Sequence, residues 1–187
     1  MFSPRALTLA ALIVAAAATR LAPHWPNFTA IGAICLFGGA CFRSRPAAFL
    51  VPLAAIALSD VLLTAFVYGP GMGPNYFSYV CFALTILLGM ALRERVTLPS
   101  TTAAAVLAAV GFFLLSNFQV WLGGDGITYP RTLPGLVACY IAAIPFGLNM
   151  LYANLFYCGA LFGGMELLKR QWPALARCTS SRPAIAQ

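Results

Sequence analysis

Long apolar runs alternate with short polar knots along this chain. No charged residue interrupts Ala6 to Thr19 or Pro46 to Ser59, and uncharged runs of this kind point to helices inside a bilayer. Arginine, proline, glycine and asparagine collect between the runs, where turns are expected. The pattern predicts six spans, at about 5–22, 28–42, 46–68, 75–92, 100–122 and 148–169. The region Thr132 to Leu168 is long enough for two spans, but splitting it would move four basic residues to the opposite side. It is therefore read as an outer-surface helix at about 133–145, a break at Pro145-Phe146-Gly147 and one final span. The first run also mimics a secretory signal, with Arg5, an apolar stretch and the small residues Ala16-Ala17-Ala18. It is read here as the first span.

Composition sharpens the class. Of 187 residues, 61% are hydrophobic and only 8% charged, and the mean hydropathy is +0.88. A soluble domain carries about 25% charged residues, so the chain is expected to be an all-α integral membrane protein. No polar linker or extramembrane block is long enough to fold separately, which makes residues 1–187 one domain. The net charge of +7 is a topology signal. Arg5, Arg43, Arg45, Arg93, Arg95, Lys169, Arg170, Arg177 and Arg182 fall on one side of the six spans, and only Arg20 and Arg131 on the other. The positive-inside rule assigns the first group, and both termini, to the cytoplasm. A nucleic-acid patch is not implied. The six cysteines contain no C-x-x-C pair, which removes the local motif for zinc or iron–sulfur ligation. The chain also lacks a Walker A sequence for ATP.

Polar residues are unevenly placed on this topology. The outer ends carry His24, Asn27 and Thr29 after the first span, Ser59-Asp60 within the third, and Tyr76, Tyr79 and Cys81 on the fourth. The fifth ends with Ser116, Asn117, Gln119 and Trp121. Asp125, Tyr129 and Arg131 follow, and the sixth opens with Asn149, Tyr152 and Asn154. The inner halves are plainer. An aromatic belt would mark both interfaces, whereas here Tyr68, Tyr76, Tyr79, Tyr129 and Tyr152 gather at one. The asymmetry points to an outward cavity for a ligand with apolar planes and hydrogen-bonding edges.

Asp60 is the carboxylate that must lie at hydrocarbon depth, either as a structural hydrogen-bond partner or as an anchor on the cavity wall. Arg20 is its candidate partner. His24 lies between Pro23 and Pro26, which hold the loop extended. It is a candidate rim or lid group. Ser78, Cys81, Thr85 and Gly89 share one face of the fourth helix, a small polar stripe expected to point inward. Cys81 is then either a small core residue or a soft metal ligand at the base of the cavity.

Several stretches carry a family resemblance. They are RLAPHWPNFTAIGAICLFGGA (Arg20 to Ala40), LSD (Leu58 to Asp60), YVCFAL (Tyr79 to Leu84), NFQVW (Asn117 to Trp121), YP (Tyr129-Pro130) and IPFGLN (Ile144 to Asn149). With the six-helix layout, they make the chain resemble the S components of energy-coupling-factor (ECF) vitamin transporters, and more narrowly the BtuM family of solitary cobalamin transporters. The resemblance implies a bacterial inner-membrane protein that binds cobalamin (vitamin B12) for uptake. It further implies that Cys81 ligates the cobalt. The implied ligand-binding set is His24, Asn27, Phe28, Asp60, Tyr68, Tyr76, Tyr79, Thr85, Asn117, Trp121, Tyr129, Asn149 and Tyr152. A thiolate below the corrin weakens the bond on the opposite face, so loss of an upper ligand such as cyanide, aided by reductant, is an expected side activity.

The resemblance also raises an energising membrane subunit as a partner. Such subunits dock on small residues four apart, a spacing that Ala6 and Ala10, and Ala11 and Ala15, satisfy. Three other readings are weighed. An S-like protein for a different vitamin would use Cys81 only for packing. A membrane enzyme lacks paired carboxylates, an HExxH sequence or a serine with a base. A scaffold leaves the outward clustering of polar groups unexplained.

Overall fold

The computed structural model describes residues 3–69, 75–93 and 95–175. Among them are six α-helices: α1 Pro4–Ala18, α2 Ile31–Cys41, α3 Arg45–Leu63, α4 Tyr76–Ala91, α5 Leu98–Gly123 and α6 Leu133–Gln171. No strand is present among these residues. Four helical segments are long and apolar enough to cross a membrane: Pro4–Leu21, Arg45–Tyr68, Leu98–Gly123 and Leu133–Gln171. Ile31–Cys41 and Tyr76–Ala91 are apolar but shorter. Arg177, Cys178 and Arg182 lie outside the described residues.

The centre of the bundle is α2. Every residue from Ala33 to Ala40 is buried, and α2 packs against each of the other five helices. A helix that is apolar all round belongs in a core. Its glycines set how closely the neighbours approach. A Cβ on Gly38 would run into Pro52 of α3, and one on Gly39 into the carbonyl of Ile86 in α4. In return, a Cβ on Gly89 of α4 would meet the carbonyl of Leu36. Small residues at these crossings replace the side-chain layer that usually separates helices.

With 11 residues, α2 extends about 16 Å, roughly half of a ~30 Å hydrocarbon core. The expected start at residue 28 is three residues early. Asn27 has φ +61°, a left-handed conformation that asparagine tolerates and a helix does not. Phe28 N–H donates to the Trp25 carbonyl at 2.9 Å, closing a turn before the helix begins.

The expected break at 145–147 is absent: α6 runs unbroken for 39 residues. There is accordingly no separate outer helix at 133–145. Pro145 removes one backbone hydrogen bond to Ile141, but packing on α5 holds the helix together. Gly147 receives the ring of Phe113, which a Cβ would displace. Nearby, Tyr140 Oη donates to the Leu114 carbonyl at 2.7 Å and Asn154 Nδ2 to the Ala105 carbonyl at 3.3 Å. The proline and glycine therefore serve an antiparallel α5–α6 hairpin and do not end a helix.

At the other end of the bundle, Arg93 Nε donates to the Gly39 carbonyl at 2.9 Å, and Arg5 Nη1 to that of Leu175 at 3.4 Å. The basic turns thus meet at one end. Ala11 and Ala15 are exposed on α1, while Ala6 and Ala10 are half-buried.

The α2–α4 crossing makes a direct prediction. Gly89→Val should destabilise the protein by about 1–3 kcal/mol, because the added atoms push on backbone and not on a movable side chain. Gly111→Ala, which has open space around it, should be neutral or slightly stabilising. Thermal unfolding of both variants in detergent would check this, and equal melting temperatures would contradict the close-approach argument.

Candidate functional site

Above the short α2 the bundle is hollow. A cavity of about 740 Å³ lies among α2, α3, α4, α5 and α6, on the side away from the basic turns, with the segment 20–29 along its rim. Arg20, Pro23, His24, Asn27 and Thr29 line the rim side, Leu63, Val67 and Tyr68 the α3 side, and Phe82, Ala108, Phe112, Met150 and Asn154 the remainder. A second chamber of about 310 Å³ adjoins it and shares Arg20, Ile31, Leu63, Tyr68, Phe82 and Phe112, while adding Asp60, Ser78 and Tyr79.

The rim segment is strapped to α6. Asn149 Nδ2 donates to the Pro26 carbonyl at 3.0 Å, and Tyr157 Oη donates to Thr19 Oγ1 at 3.0 Å. Phe28 packs among Trp25, Phe156 and Tyr157, with ring centroids 5.8–6.3 Å apart. The strap is not extended throughout: the Phe28 N–H to Trp25 carbonyl bond closes a turn at Pro26-Asn27, and the His24 ring makes a 2.7 Å hydrogen bond with the Ala22 carbonyl.

Between the second chamber and α1 sits a charged cluster. Arg20 Nη2 lies 2.7 Å from Asp60 Oδ1, and Tyr79 Oη donates to Asp60 Oδ2 at 2.6 Å. Arg20 Nη1 also donates to Ser59 Oγ and, at 3.4 Å, to the Ile56 carbonyl. The side chains of Arg20 and Asp60 are only 10% and 16% exposed. Asp60 therefore has the arginine partner proposed for it, and three helical segments (α1's continuation, α3 and α4) meet through one carboxylate. Asp60 and Tyr79 also face a groove between α3 and α4 of about 660 Å³, which Tyr76 lines with them. The wall between groove and chamber is thus one layer of side chains thick.

Two polar atoms of the cavity lining have no partner in the protein: Asn154 Oδ1 and Arg20 Nε, both shielded from solvent. Asn154 is 2% exposed and fits against Gly32, where any Cβ would collide with its amide. Phe82 and Phe112 stack at 5.7 Å with 10° between their planes, forming an apolar platform. None of these three residues belonged to the expected ligand-binding set. The amide of Asn154 sits among apolar neighbours with no periodic signal, and the glycine that makes room for it is on another helix.

The inward stripe on α4 lies where the spacing placed it. Cys81, Thr85 and Gly89 are buried, and Ser78 one turn above lines the second chamber. Cys81 is 2% exposed and lies below the lining residues, with its carbonyl accepting from Thr85 Oγ1 at 2.9 Å. Of the expected binding set, His24, Asn27, Asp60, Tyr68 and Tyr79 line the two chambers. Phe28 and Asn149 hold the strap. Tyr76 faces the outer groove and Tyr152 is exposed. Trp121 Nε1 donates to the Pro130 carbonyl at 3.0 Å, and Asn117 Nδ2 to the Phe113 carbonyl at 2.8 Å. Trp121, Asn117 and Tyr129 thus belong to the α5–α6 end and not to the cavity lining. In the connecting turn, Asp125 accepts from the Ile127 and Thr128 N–H groups at 2.9 Å each, which holds its carboxyl below the usual range.

No group of three or more metal-ligating side chains occurs among the described residues. Five cysteines, Cys35, Cys41, Cys81, Cys139 and Cys158, are free thiols. A family model described as "Family of unknown function (DUF6580)" matches residues 1–175. The chain belongs to that family. No curated protein and no solved structure matches it. For the DUF6580 chain, function must therefore be argued from the cavity.

The charged cluster yields a test. Asp60→Leu strands a largely buried Arg20 and should cost about 2–4 kcal/mol, slightly below a fully buried pair because some exposure remains. The double variant Arg20→Met/Asp60→Leu should recover most of that loss. Melting temperatures of the two variants against the parent would decide it. A double variant as unstable as the single one would mean that the cluster is not acting as a charge pair.

Proposed function

We propose that this protein captures a vitamin-sized organic solute from the outer side of a bacterial inner membrane for uptake, in the manner of an ECF S component. In this reading the six helices are six spans and both termini are cytoplasmic. One observation carries it: Asn154 Oδ1 and Arg20 Nε are buried without partners, and both residues line the same 740 Å³ cavity. An unsatisfied buried polar group costs about 1–3 kcal/mol. A solute that draws these two side chains toward the cavity, donating to Asn154 and accepting from Arg20, would remove both costs. The cavity volume falls within the ~300–1,000 Å³ of ligand sites.

The specific ligand we propose is cobalamin. The Phe82–Phe112 platform suits a flat macrocycle, while Asn27, Thr29, Asn154 and Arg20 suit its amide-bearing edge. A corrinoid exceeds a drug-sized ligand, so it would occupy both chambers and displace part of the strap. Cys81 lies one turn below Ser78, and ligation of cobalt requires the side chains above it to yield. Bound there, the thiolate would favour loss of an upper cyanide when reductant is supplied. An energising subunit would dock on the α1 face that exposes Ala11 and Ala15.

The test is an absorption spectrum of detergent-purified protein expressed with cobalamin, compared with Cys81→Ala and Asn154→Ala. The parent should show a corrinoid spectrum, Cys81→Ala an altered one, and Asn154→Ala an affinity about tenfold weaker. Cyanide release should be lost in Cys81→Ala. Identical spectra in parent and Cys81→Ala would keep the corrinoid and remove the thiol as ligand. Well-folded but colourless protein would overturn cobalamin as the solute.

A further inference from the structure

A second cavity, of about 500 Å³, lies at the basic end of the bundle, among α1, the end of α2, the start of α5 and the last turns of α6. It shares no lining residue with the outer chambers. Seven described cations occur at this end. Arg43, Arg45, Arg95 and Arg170 are exposed, as the positive-inside rule alone would produce. Arg5, Arg93 and Lys169 differ. They are half-buried, and all three line the cavity. Among the described residues one carboxylate, Glu166, lines the cavity with them and pairs with Lys169 at 3.3 Å. Three cationic side chains thus converge on one chamber.

Arg93 is the most telling. Its Nε and Nη1 are tied to the carbonyls of Gly39 and Arg43, so its guanidinium is fixed in place. Its Nη2 is buried and has no partner. The first turn of α5, capped by Thr97, also lines the cavity and brings the positive end of that helix dipole, with the hydroxyls of Thr97 and Thr101. The rest of the lining is apolar, including Leu155, Phe162 and Met165. Fixed guanidinium, ammonium and helix N-terminus together form the chemistry of a phosphate site, and the apolar remainder suits an organic substituent.

We propose that this inner cavity binds a phosphate-bearing anion, its phosphate held by Arg5, Arg93 and Lys169 and its uncharged part against Leu155, Phe162 and Met165. The phosphate belongs either to the headgroup of an anionic lipid or to a soluble phosphate ester. The site is independent of the solute taken by the outer chambers.

Cys41 lines the cavity and is half-buried, whereas Cys35, Cys81, Cys139 and Cys158 are buried. In a Cys178→Ser background, the rate of maleimide labelling at Cys41 therefore reports occupancy. Full-length, delipidated protein would be titrated with short-chain phosphatidylglycerol and separately with inorganic phosphate, at constant ionic strength. Saturable protection by phosphatidylglycerol alone would identify a lipid headgroup; protection by inorganic phosphate as well would identify a soluble phosphate ester. Lys169→Gln, which removes one of the three cations together with its ion pair to Glu166, should weaken protection about tenfold. Arg93→Gln should abolish it, and Arg93→Lys should recover part of it. Folded parent protein whose Cys41 labels at the same rate with and without both probes would overturn the proposal. Protection unchanged in Lys169→Gln and Arg93→Gln would overturn it too.

Discussion

The architecture depends on α2 being short, fully buried and studded with glycine. Its three glycines each admit a different neighbour: Gly32 the amide of Asn154 on α6, Gly38 the ring of Pro52 on α3, and Gly39 the backbone of α4. Dispersion falls off steeply with distance, so backbones in direct contact gain attraction that bulkier residues would prevent. Because α2 is only 11 residues long, the space beyond its N-terminal end is bordered by the segment 20–29 and not by more helix. The segment 20–29 packs on α6 through Phe28 and Asn149 on one side and lines the cavity on the other.

The same constraint explains where charge is placed. Arg20 follows α1 directly, at the edge of the hollow, and the carboxylate it needs comes from α3 with a phenol from α4. Such a pair is not a strong source of net stability, since desolvation offsets most of the attraction. Its value is positional. Three elements with few apolar contacts at this level share one fixed point, and the neighbouring chambers inherit a polar boundary.

Much of this was legible in the residues. Helical periodicity placed Cys81, Thr85 and Gly89 on the buried side of α4, and the rarity of intramembrane charge singled out Asp60 and suggested Arg20. The prolines around His24 marked a non-helical rim, though one that turns at Pro26-Asn27. What could not be read was tertiary. Pro145 and Gly147 have the local signature of a break, yet α5 supplies a surface that makes Gly147 a contact and the helix continuous. Asn154 stands out as a polar residue of the last span, but its seat against Gly32, like that of Phe82 on Phe112, is not written in either helix alone. The grouping of Arg5, Arg93 and Lys169 was equally hidden, because charge counting by side treats all inner cations alike.

The continuity of α6 has a mechanical consequence. Asn149 holds the strap near the middle of this helix, and Lys169 reaches the inner cavity near its C-terminal end, about 30 Å away at ~1.5 Å per residue. No hinge separates them. A tilt of α6 by a few degrees, pivoting where Asn154 meets α5 and Gly32, would swing Asn149 and Lys169 in opposite directions. Asn149 lies much closer to that pivot than Lys169 does, so a slight shift at the strap becomes a larger one at Lys169. The stretch between them is in effect a lever with a short arm to the strap and a long one to the inner cavity.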